Sequence, residues 1–395
     1  MRKKVLLTII LLLCCVMLPV RVMAQPVITA ESAVLMDMSS GQVLYQKNID
    51  KRMYPASTTK ILTTLIAIKK ANLNDMVKAS WEACRTDGSA VGLQEGEIFK
   101  LEDLLYAVML PSANDAAAAV AEHIGGSVEG FARIMNEEAR AMGAVNSNFV
   151  TPHGLHDPKH YTTAGDLALI AREAMKNSIF REYAGTYSHK IKRTLPRPVN
   201  GIPQEDFVNL NRLLWPGNIF EYKGVTGIKT GYTDEARRCL VASAERNGRE
   251  ILVVVMKTEN FDMYRDTITL LDYGFNDFKQ VVPVNPGDEV GSAKVRRGVA
   301  GEVGAVASGK FSYNVPINDK ASIEKRVNLD GNMAAPVKKG QKVGVMTFLK
   351  DGKGIGSVDL VAGRDVDRDP LFHWWYGLVI LALLYIYISA RARAR

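Results

Sequence analysis

The spacing of apolar residues changes from strand-like to helix-like in the first half of the chain. Two short strand-like runs, 33–36 and 42–45, flank the turn-forming Ser39-Ser40-Gly41, which predicts a β-hairpin. From Ser57 onwards apolar residues recur every three or four positions, with Pro55 just ahead, so a helix is predicted to begin there. Further helices are predicted over 101–109, 115–124, 128–142 and 163–176, the last with Thr163 as its N-cap.

The pattern returns to β-strands later in the same region. Short apolar runs at 226–230, 239–244 and 251–256 predict three strands, and the turn Arg246-Asn247-Gly248 joins the last two. Residues 264–273 are predicted to form a closing helix. The region 25–278 is therefore expected to be an α/β (α+β) domain, whose sheet takes strands from both ends of the segment and whose helices lie between them.

Helical spacing disappears after about Phe278. Repeated glycines separate short alternating runs, and Pro283 and Pro286 open this stretch, which predicts a small all-β domain over 279–364. The charged residues 365–370 are predicted to be a linker.

Both ends of the chain carry membrane-related patterns. Arg2-Lys3-Lys4, the apolar residues 5–20 and Val22-Met23-Ala24 are the three parts of a signal peptide cleaved after Ala24, in residues 1–24. An uncleaved N-terminal anchor is the alternative.

The C-terminal segment 371–390 contains no Asp, Glu, Lys or Arg, and about 20 such residues suffice for a helix to cross a bilayer. The basic tail 391–395 is expected in the cytoplasm by the positive-inside rule. A helix lying in the membrane interface is the alternative, but such a helix needs a polar face. We therefore expect a body on the extracytoplasmic side of the cell membrane, tethered at its C-terminus.

Composition narrows the class of partner. The 395 residues are enough for two or three folded units, and the net charge is +8. Removing Arg2, Lys3, Lys4 and Arg21 leaves +4, and removing the three arginines of the tail leaves +1. The body is nearly neutral, so no nucleic-acid partner is expected. Outside the N-terminal segment only Cys84 and Cys239 remain, either as one disulfide or as two unpaired buried thiols.

Three short motifs carry the candidate chemistry. Ser57-Thr58-Thr59-Lys60 matches S-x-x-K, and residues three apart on a helix share a face, so the Lys60 amine can reach the Ser57 hydroxyl. A serine needs such a base, and a lysine can act as one only if burial or a nearby cation lowers its pKa. Ser112-Ala113-Asn114 matches S-x-N, and its simplest interpretation alone is a helix cap. Lys229-Thr230-Gly231 is the single K-[ST]-G of the chain.

The order of the motifs is more specific than any one of them. About one S-x-x-K is expected by chance in a chain of this length, and a second match stands at Ser322–Lys325, with a second S-x-N at Ser312–Asn314. Only the first set occurs in the order S-x-x-K, S-x-N, K-T-G, at a predicted helix start, an inter-helix loop and a strand. This triplet is typical of class A β-lactamases and penicillin-binding proteins.

With these motifs and the segments around 151–155 and 239–244, the chain from about residue 33 to 364 resembles the low-molecular-mass penicillin-binding proteins that are D-alanyl-D-alanine carboxypeptidases. The resemblance implies a β-lactamase/transpeptidase-like catalytic domain, a β-rich domain and a membrane anchor. The implied substrate is the peptidoglycan stem peptide, and the implied inhibitors are β-lactams. No cofactor and no metal ion are expected.

The resemblance also implies a role for each motif residue. Ser57 is the nucleophile, Lys60 the general base and Ser112 a proton relay to the leaving amine, with Lys229 as a second cation. The backbone N–H groups of Ser57 and Tyr232 form the oxyanion hole. The remaining substrate-binding residues are expected to be Asn114, Thr230, Gly231 and Thr233.

Some positions depart from the family pattern. An Asp is expected before Gly227, where Thr226 stands, and a Gly is expected near Arg237 and Arg238. The two arginines either help to bind the substrate carboxylate or are solvated turn residues, and the second interpretation is favoured. His153 is interpreted as structural because a lysine already fills the role of base.

Three other functions remain as alternatives. A β-lactamase shares the triplet but usually needs an acidic base for deacylation, and no Glu stands in an obvious position. A DD-endopeptidase uses the same acyl-enzyme. A non-catalytic penicillin-binding sensor is disfavoured by the complete motifs.

Overall fold

The computed structural model describes residues 25–191, 198–199, 202–203, 206–319, 322–331, 333–370 and 374–393. The predicted signal peptide, residues 1–24, lies outside these residues. The chain divides into two units: one contains Val43–Asp277 with the residues before Ser39, and the other contains Ser39–Gln42 with the residues from Phe278 onward.

The first unit is built on a five-stranded antiparallel sheet whose strand order is β2-β1-β11-β10-β9. The strands are β1 Ser32–Asp37, β2 Val43–Lys47, β9 Val225–Thr233, β10 Arg237–Arg246 and β11 Arg249–Thr258. Three two-stranded ribbons pair β3 Met76–Lys78 with β4 Ile98–Lys100, β5 Ser188–Lys190 with β8 Asp206–Val208, and β6 Pro198–Val199 with β7 Ile202–Pro203. The sheet joins strands from both ends of the unit, as predicted.

Local sequence explains the central hairpin. Asn247 and Gly248 have φ values of 53° and 73°, and two such residues form the tight turn whose twist matches antiparallel strands. The residues of β11 from 251 to 256 are apolar without interruption and all buried, because the sheet is covered on both faces.

Helices supply both layers around this sheet. They are α1 Lys60–Lys70, α2 Trp81–Cys84, α3 Leu101–Met109, α4 Asn114–Gly125, α5 Val128–Ala141, α6 Ala164–Ala174, α7 Ser178–Gly185 and α8 Asp262–Asp277. Helix α8 packs with Leu240, Val253 and Val255 on one face, whereas Val241, Leu252 and Val254 join the core formed by the other helices. The predicted cap is confirmed, since the Thr163 side chain accepts a hydrogen bond from the Asp166 N–H.

The second unit has the predicted all-β character up to the C-terminal helix. Its strands are β12 Phe278–Val284, β13 Glu289–Arg296, β14 Glu302–Ala307, β15 Phe311–Pro316, β16 Glu324–Leu329, β17 Met333–Ala334, β18 Lys342–Lys350 and β19 Lys353–Ala362. They form a two-stranded sheet, β12-β15, and a six-stranded sheet in the order β16-β18-β19-β14-β13-β17. The core of the unit includes Val303, Phe348 and Leu360.

The expectation of a linker over 365–370 needs correction. Val366 is buried, pairs with Val337 as an isolated β-bridge and belongs to the core of the β domain, while Arg368 pairs with Gly298. Burial of Val366 removes apolar surface from water, which ties this charged segment to the domain before it.

Helix α9, Trp374–Arg393, follows at the C-terminus. Residues 375–393 are long and apolar enough to cross a membrane, with a mean hydropathy of 1.5. Residues 371–373 of the predicted span lie outside the described part of the chain.

The two cysteines outside the N-terminal segment are unpaired: Cys239 is buried and Cys84 is half-buried. The disulfide alternative is therefore wrong.

Candidate active site

The S-x-x-K residues meet where two kinds of helix join. A 3-10 helix, Ala56–Thr59, runs directly into α1, which begins at Lys60. Both side chains lie on one face of this continuous turn, and Lys60 Nζ is 3.1 Å from Ser57 Oγ. Ser57 is half-buried, whereas Lys60 is completely buried.

Two further acceptors hold the Lys60 amine. Its Nζ donates to Asn114 Oδ1 at 2.6 Å and to the backbone carbonyl of His153 at 3.0 Å. Asn114 is oriented in turn by its Nδ2, which donates to the Asp87 carbonyl at 2.7 Å. The Lys60 amine is thus directed at Ser57 by groups that come from distant parts of the sequence.

The surroundings of Lys60 disfavour its charge. Burial lowers the Lys60 pKa well below 10.5, and the positive charge of Lys229 lowers it further, while the Asp115 carboxylate acts in the opposite direction. Burial also lowers the pKa of Lys229, to about 7. These are the two conditions under which a lysine can act as a base.

Ser112 lies in the short connection between α3 and α4, with a φ of 66° in the left-handed region. Non-glycine residues rarely adopt that conformation, which costs backbone energy. The N-cap of α4 is Ala113, so the helix-cap interpretation of Ser112 is wrong. Its Oγ is buried and has no hydrogen-bond partner among the described residues.

Strand β9 brings the K-T-G motif against the start of the 3-10 helix. A Cβ at Gly231 would lie 3.0 Å from the Pro55 carbonyl oxygen and 3.1 Å from the Ser57 nitrogen. A side chain at this position would force the strand and the backbone of Ser57 apart by a few tenths of an ångström, so glycine allows this close approach. Lys229 is buried, and Tyr232 is exposed.

Several of these groups line a cleft of about 410 Å³. Of the predicted residues, five line it: Ser57, Ser112, Thr230, Gly231 and Tyr232. Thr233 is not among them, since its hydroxyl accepts a hydrogen bond from the Ala236 N–H at 3.0 Å and stabilises the turn after β9. The other lining residues are Ser89, Leu210, Arg212, Trp215, Arg238, Phe261, Met263 and Tyr264.

Sequence reasoning missed the residues that support the Ser57 turn. His160 Nδ1 accepts from the Val150 N–H, so its Nε2 carries the proton and donates to Thr59 Oγ1 at 2.9 Å. Burial lowers the His160 pKa to about 4. Gly154 has a φ of 84°, and a Cβ there would lie 1.9 Å from the Ala56 carbonyl oxygen.

His153 has the structural position that was expected. Its ring is buried, its Nδ1 accepts from the Leu155 N–H, and burial lowers its pKa to about 3, so the ring is neutral. Its contact with the site is through its backbone carbonyl.

The departures from the family pattern also find an explanation. Thr226 Oγ1 donates to the Glu250 carboxylate at 2.8 Å, and Arg181 makes two hydrogen bonds to the same carboxylate, so β11, the next strand but one in the sheet, supplies an acid beside Thr226. Arg237 has a φ of 53°, which is why a glycine would fit there. Arg238 is exposed, as expected, but it lies on strand β10 rather than in the turn, and it lines the cleft.

Comparison with known proteins identifies the family for most of the chain. Residues 20–260 match the family described as D-alanyl-D-alanine carboxypeptidase, and residues 278–368 match the C-terminal domain of penicillin-binding protein 5. The D-alanyl-D-alanine carboxypeptidase DacF of Bacillus subtilis is 33% identical over 346 residues, 86% of each chain. DacA of Haemophilus influenzae is 34% identical over 372 residues, 90% of each chain.

Solved structures agree with the described fold. Penicillin-binding protein 5 of Haemophilus influenzae has a TM-score of 0.74 at 33% identity, covering 87% of this chain and 99% of its own. The DD-transpeptidase of Streptomyces K15 has a TM-score of 0.58 at 31% identity, covering 64% of this chain and 99% of its own. The expected catalytic fold with its β domain is confirmed, and the chain belongs to the D-alanyl-D-alanine carboxypeptidase family.

Proposed function

We propose that this serine D-alanyl-D-alanine carboxypeptidase removes the terminal D-alanine of peptidoglycan stem peptides through an acyl-enzyme on Ser57. The activity itself is assigned from membership of the D-alanyl-D-alanine carboxypeptidase family. The observation that carries the choice of nucleophile is the 3.1 Å contact between Ser57 Oγ and the buried Lys60 amine. Covalent β-lactam binding follows from the same attack, because the lactam ring carbonyl takes the place of the scissile peptide carbonyl.

Hydrogen-bond chemistry supports Lys60 as the base. A neutral amine has two N–H bonds and one lone pair. The Asn114 and His153 oxygens are acceptors only and take both N–H bonds. The lone pair is then left for Ser57, whose hydroxyl donates to it, and the proton can pass from Oγ to Nζ as Oγ attacks.

The remaining groups fit the steps that follow. As the bond from Ser57 Oγ to the carbonyl carbon forms, the backbone N–H groups of Ser57 and Tyr232 stabilise the oxyanion. The amide C–N bond then breaks, and the Lys60 proton reaches the leaving amine through Ser112, whose hydroxyl has no other partner in the described part of the chain, with Lys229 as a nearby cation. Water hydrolyses the ester and restores the serine.

Substrate positioning falls to the groups around this centre. One N–H of the Asn114 amide donates to Asp87, and the second is available to the substrate backbone. Thr230 and Gly231 line the cleft where the D-alanine carboxylate is expected. Thr233 was expected beside them; its hydroxyl oxygen accepts from the Ala236 N–H, and its O–H can still donate to the same carboxylate.

We also propose that the protein is exported and anchored. Residues 1–24 have the pattern of a signal peptide, and helix α9 is apolar and extends into the basic tail 391–395. The catalytic unit would then face the cell wall. A chain ending at Pro370 should move from the membrane to the soluble fraction, and the mature protein should begin at Gln25. A truncated chain that stays with the membrane would contradict the C-terminal anchor.

The test of the nucleophile uses the full chain in detergent. It should release D-alanine from a peptide ending in two D-alanines and become covalently labelled by penicillin. Ser57→Ala should abolish both, whereas Ser322→Ala should change neither. Labelling that persists in Ser57→Ala would show that another residue is the nucleophile. Rapid turnover of penicillin without D-alanine release would instead favour a β-lactamase.

A further inference from the structure

The charge of the cleft comes from two arginines. Arg212 and Arg238 are the charged side chains among its described lining residues, and no Asp or Glu is among them. The two buried lysines hold their charge weakly, because burial lowers both of their pKa values. A guanidinium stays charged at every accessible pH. The two arginines are therefore the cations available to bind an anionic group that enters the cleft.

The sheet places Arg238 beside the K-T-G strand. Strands β9 and β10 pair so that Arg238 lies opposite Tyr232. Its guanidinium carbon is 4.7 Å from the centre of the Tyr232 ring. Stacking on the Tyr232 ring holds the planar guanidinium in place without using its N–H groups. No carboxylate among the described residues lies within ion-pair distance of it, so those N–H groups are available.

The neighbouring Arg237 is placed differently. Its Nε lies 3.5 Å from Glu259 Oε1, and it does not line the cleft. The two residues have the same charge and stand next to each other on one strand, so Arg237 is a matched control for Arg238.

Arg212 has a different setting again. It begins the 3-10 helix Arg212–Leu214 and lies 4.8 Å from the Phe261 ring centre and 5.6 Å from that of Trp215. Arg212 is therefore not on a strand that pairs with the K-T-G strand. On β10, Leu240 pairs with Thr230, and Arg238 lies two residues from Leu240.

We infer that Arg238 binds the free carboxylate next to the scissile amide and sets the preference of the enzyme for substrates that carry it. A guanidinium can bind a carboxylate through two parallel hydrogen bonds, which neutral hydroxyls cannot match in charge. Thr230 alone of the two expected threonines lines the cleft, and it supplies no charge. The inference rests on the proposed function, because it names a group that recognises the substrate of the same site.

The experiment compares two peptides in the full-length protein. One ends in D-alanyl-D-alanine with a free carboxylate, and the other ends in the corresponding C-terminal amide. The wild type should prefer the acid in kcat/KM. Arg238→Gln should lose this preference by about tenfold to a hundredfold, the range for a charged hydrogen bond, mostly through KM. Arg238→Lys should restore part of it, and Arg237→Gln should keep the wild-type ratio.

Each other outcome is decisive. Retention of the acid preference in Arg238→Gln would overturn the inference, as would an equal loss in Arg237→Gln, which would mean a general effect of charge. Loss of the preference in Arg212→Gln alone would assign the carboxylate to Arg212 instead. Failure of the wild type to hydrolyse either peptide would contradict the proposed function itself. Unchanged thermal unfolding of Arg238→Gln shows that the variant is folded.

Discussion

The chain carries the same four-residue pattern in two regions with different physics. Lys60 is completely buried at the start of a helix, with Ser57 Oγ 3.1 Å away. Ser322 and Lys325 are exposed, and Lys325 lies on strand β16 of the β domain, where its amine donates to the Pro283 carbonyl at 2.7 Å. Ser322 precedes β16, so the helical geometry that brings residues three apart onto one face is absent here. The pattern alone therefore creates no pair at the second site.

Burial and a second cation make the difference at the first site. Lys60 is desolvated and lies near Lys229, and both effects lower its pKa. Lys325 is exposed on strand β16, so its amine is in contact with water and has no burial of this kind. The comparison shows that an S-x-x-K motif predicts a catalytic pair only when the fold buries its lysine and keeps the serine accessible.

The largest effect is expected from a substitution of Lys60 that disrupts the Ser57–Lys60 pair. Lys60→Arg keeps a cation but removes the base, because a guanidinium does not lose its proton. Acylation by fluorescent penicillin should slow by about 10³-fold, measured as a second-order rate constant. Lys325→Arg should leave this rate unchanged. Comparable rates for Lys60→Arg and the wild type would rule out Lys60 as the base.

The two S-x-N matches sharpen the comparison. Ser112→Ala removes the proposed proton relay and should lower kcat for D-alanine release by about 10²-fold. Ser312→Ala alters the other S-x-N, on strand β15 of the β domain, and should have no effect on kcat. Equal kcat values in the two variants would exclude Ser112 from proton transfer.

Glycines test how tightly the Ser57 turn is packed. Gly154→Ala places a Cβ 1.9 Å from the Ala56 carbonyl oxygen at a φ of 84°, so the backbone must move. The free energy of unfolding should fall by about 3 kcal/mol, seen as a lower midpoint in denaturant. Gly309→Ala in the β domain meets open space and serves as the control. A Gly154→Ala protein as stable as the control would contradict the close packing.

The smallest effect concerns pH and the buried His160. Its pKa is about 4 in the folded protein against an ordinary value of 6.5, so the unfolded chain binds the proton first as pH falls. The neutral ring stabilises the fold fully above pH 6.5, and about 2–3 kcal/mol is lost as pH approaches 4. Denaturant unfolding at a series of pH values should show a smaller loss in His160→Asn.

Much of the fold could be predicted because it depends on local spacing. Helix α3 has the predicted bounds, Leu101–Met109, and the turn at Asn247-Gly248 joins the predicted strands. Periodicity and turn chemistry act within a few residues, so a single sequence displays them directly. Residues 365–370 were predicted to be a linker because they are mostly charged. The single valine among them, Val366, is nevertheless buried in the β domain.

The sequence by itself determined the order of the three motifs, the helices and strands that carry them, and the apolar segment at the C-terminus. Only the tertiary structure decided that burial and the nearby Lys229 lower the pKa of Lys60, that Asn114 and His153 direct its amine at Ser57, and that Arg238 lines the cleft while Arg237 pairs with Glu259. These features depend on burial and on contacts between residues far apart in the chain, and local spacing carries no information about either.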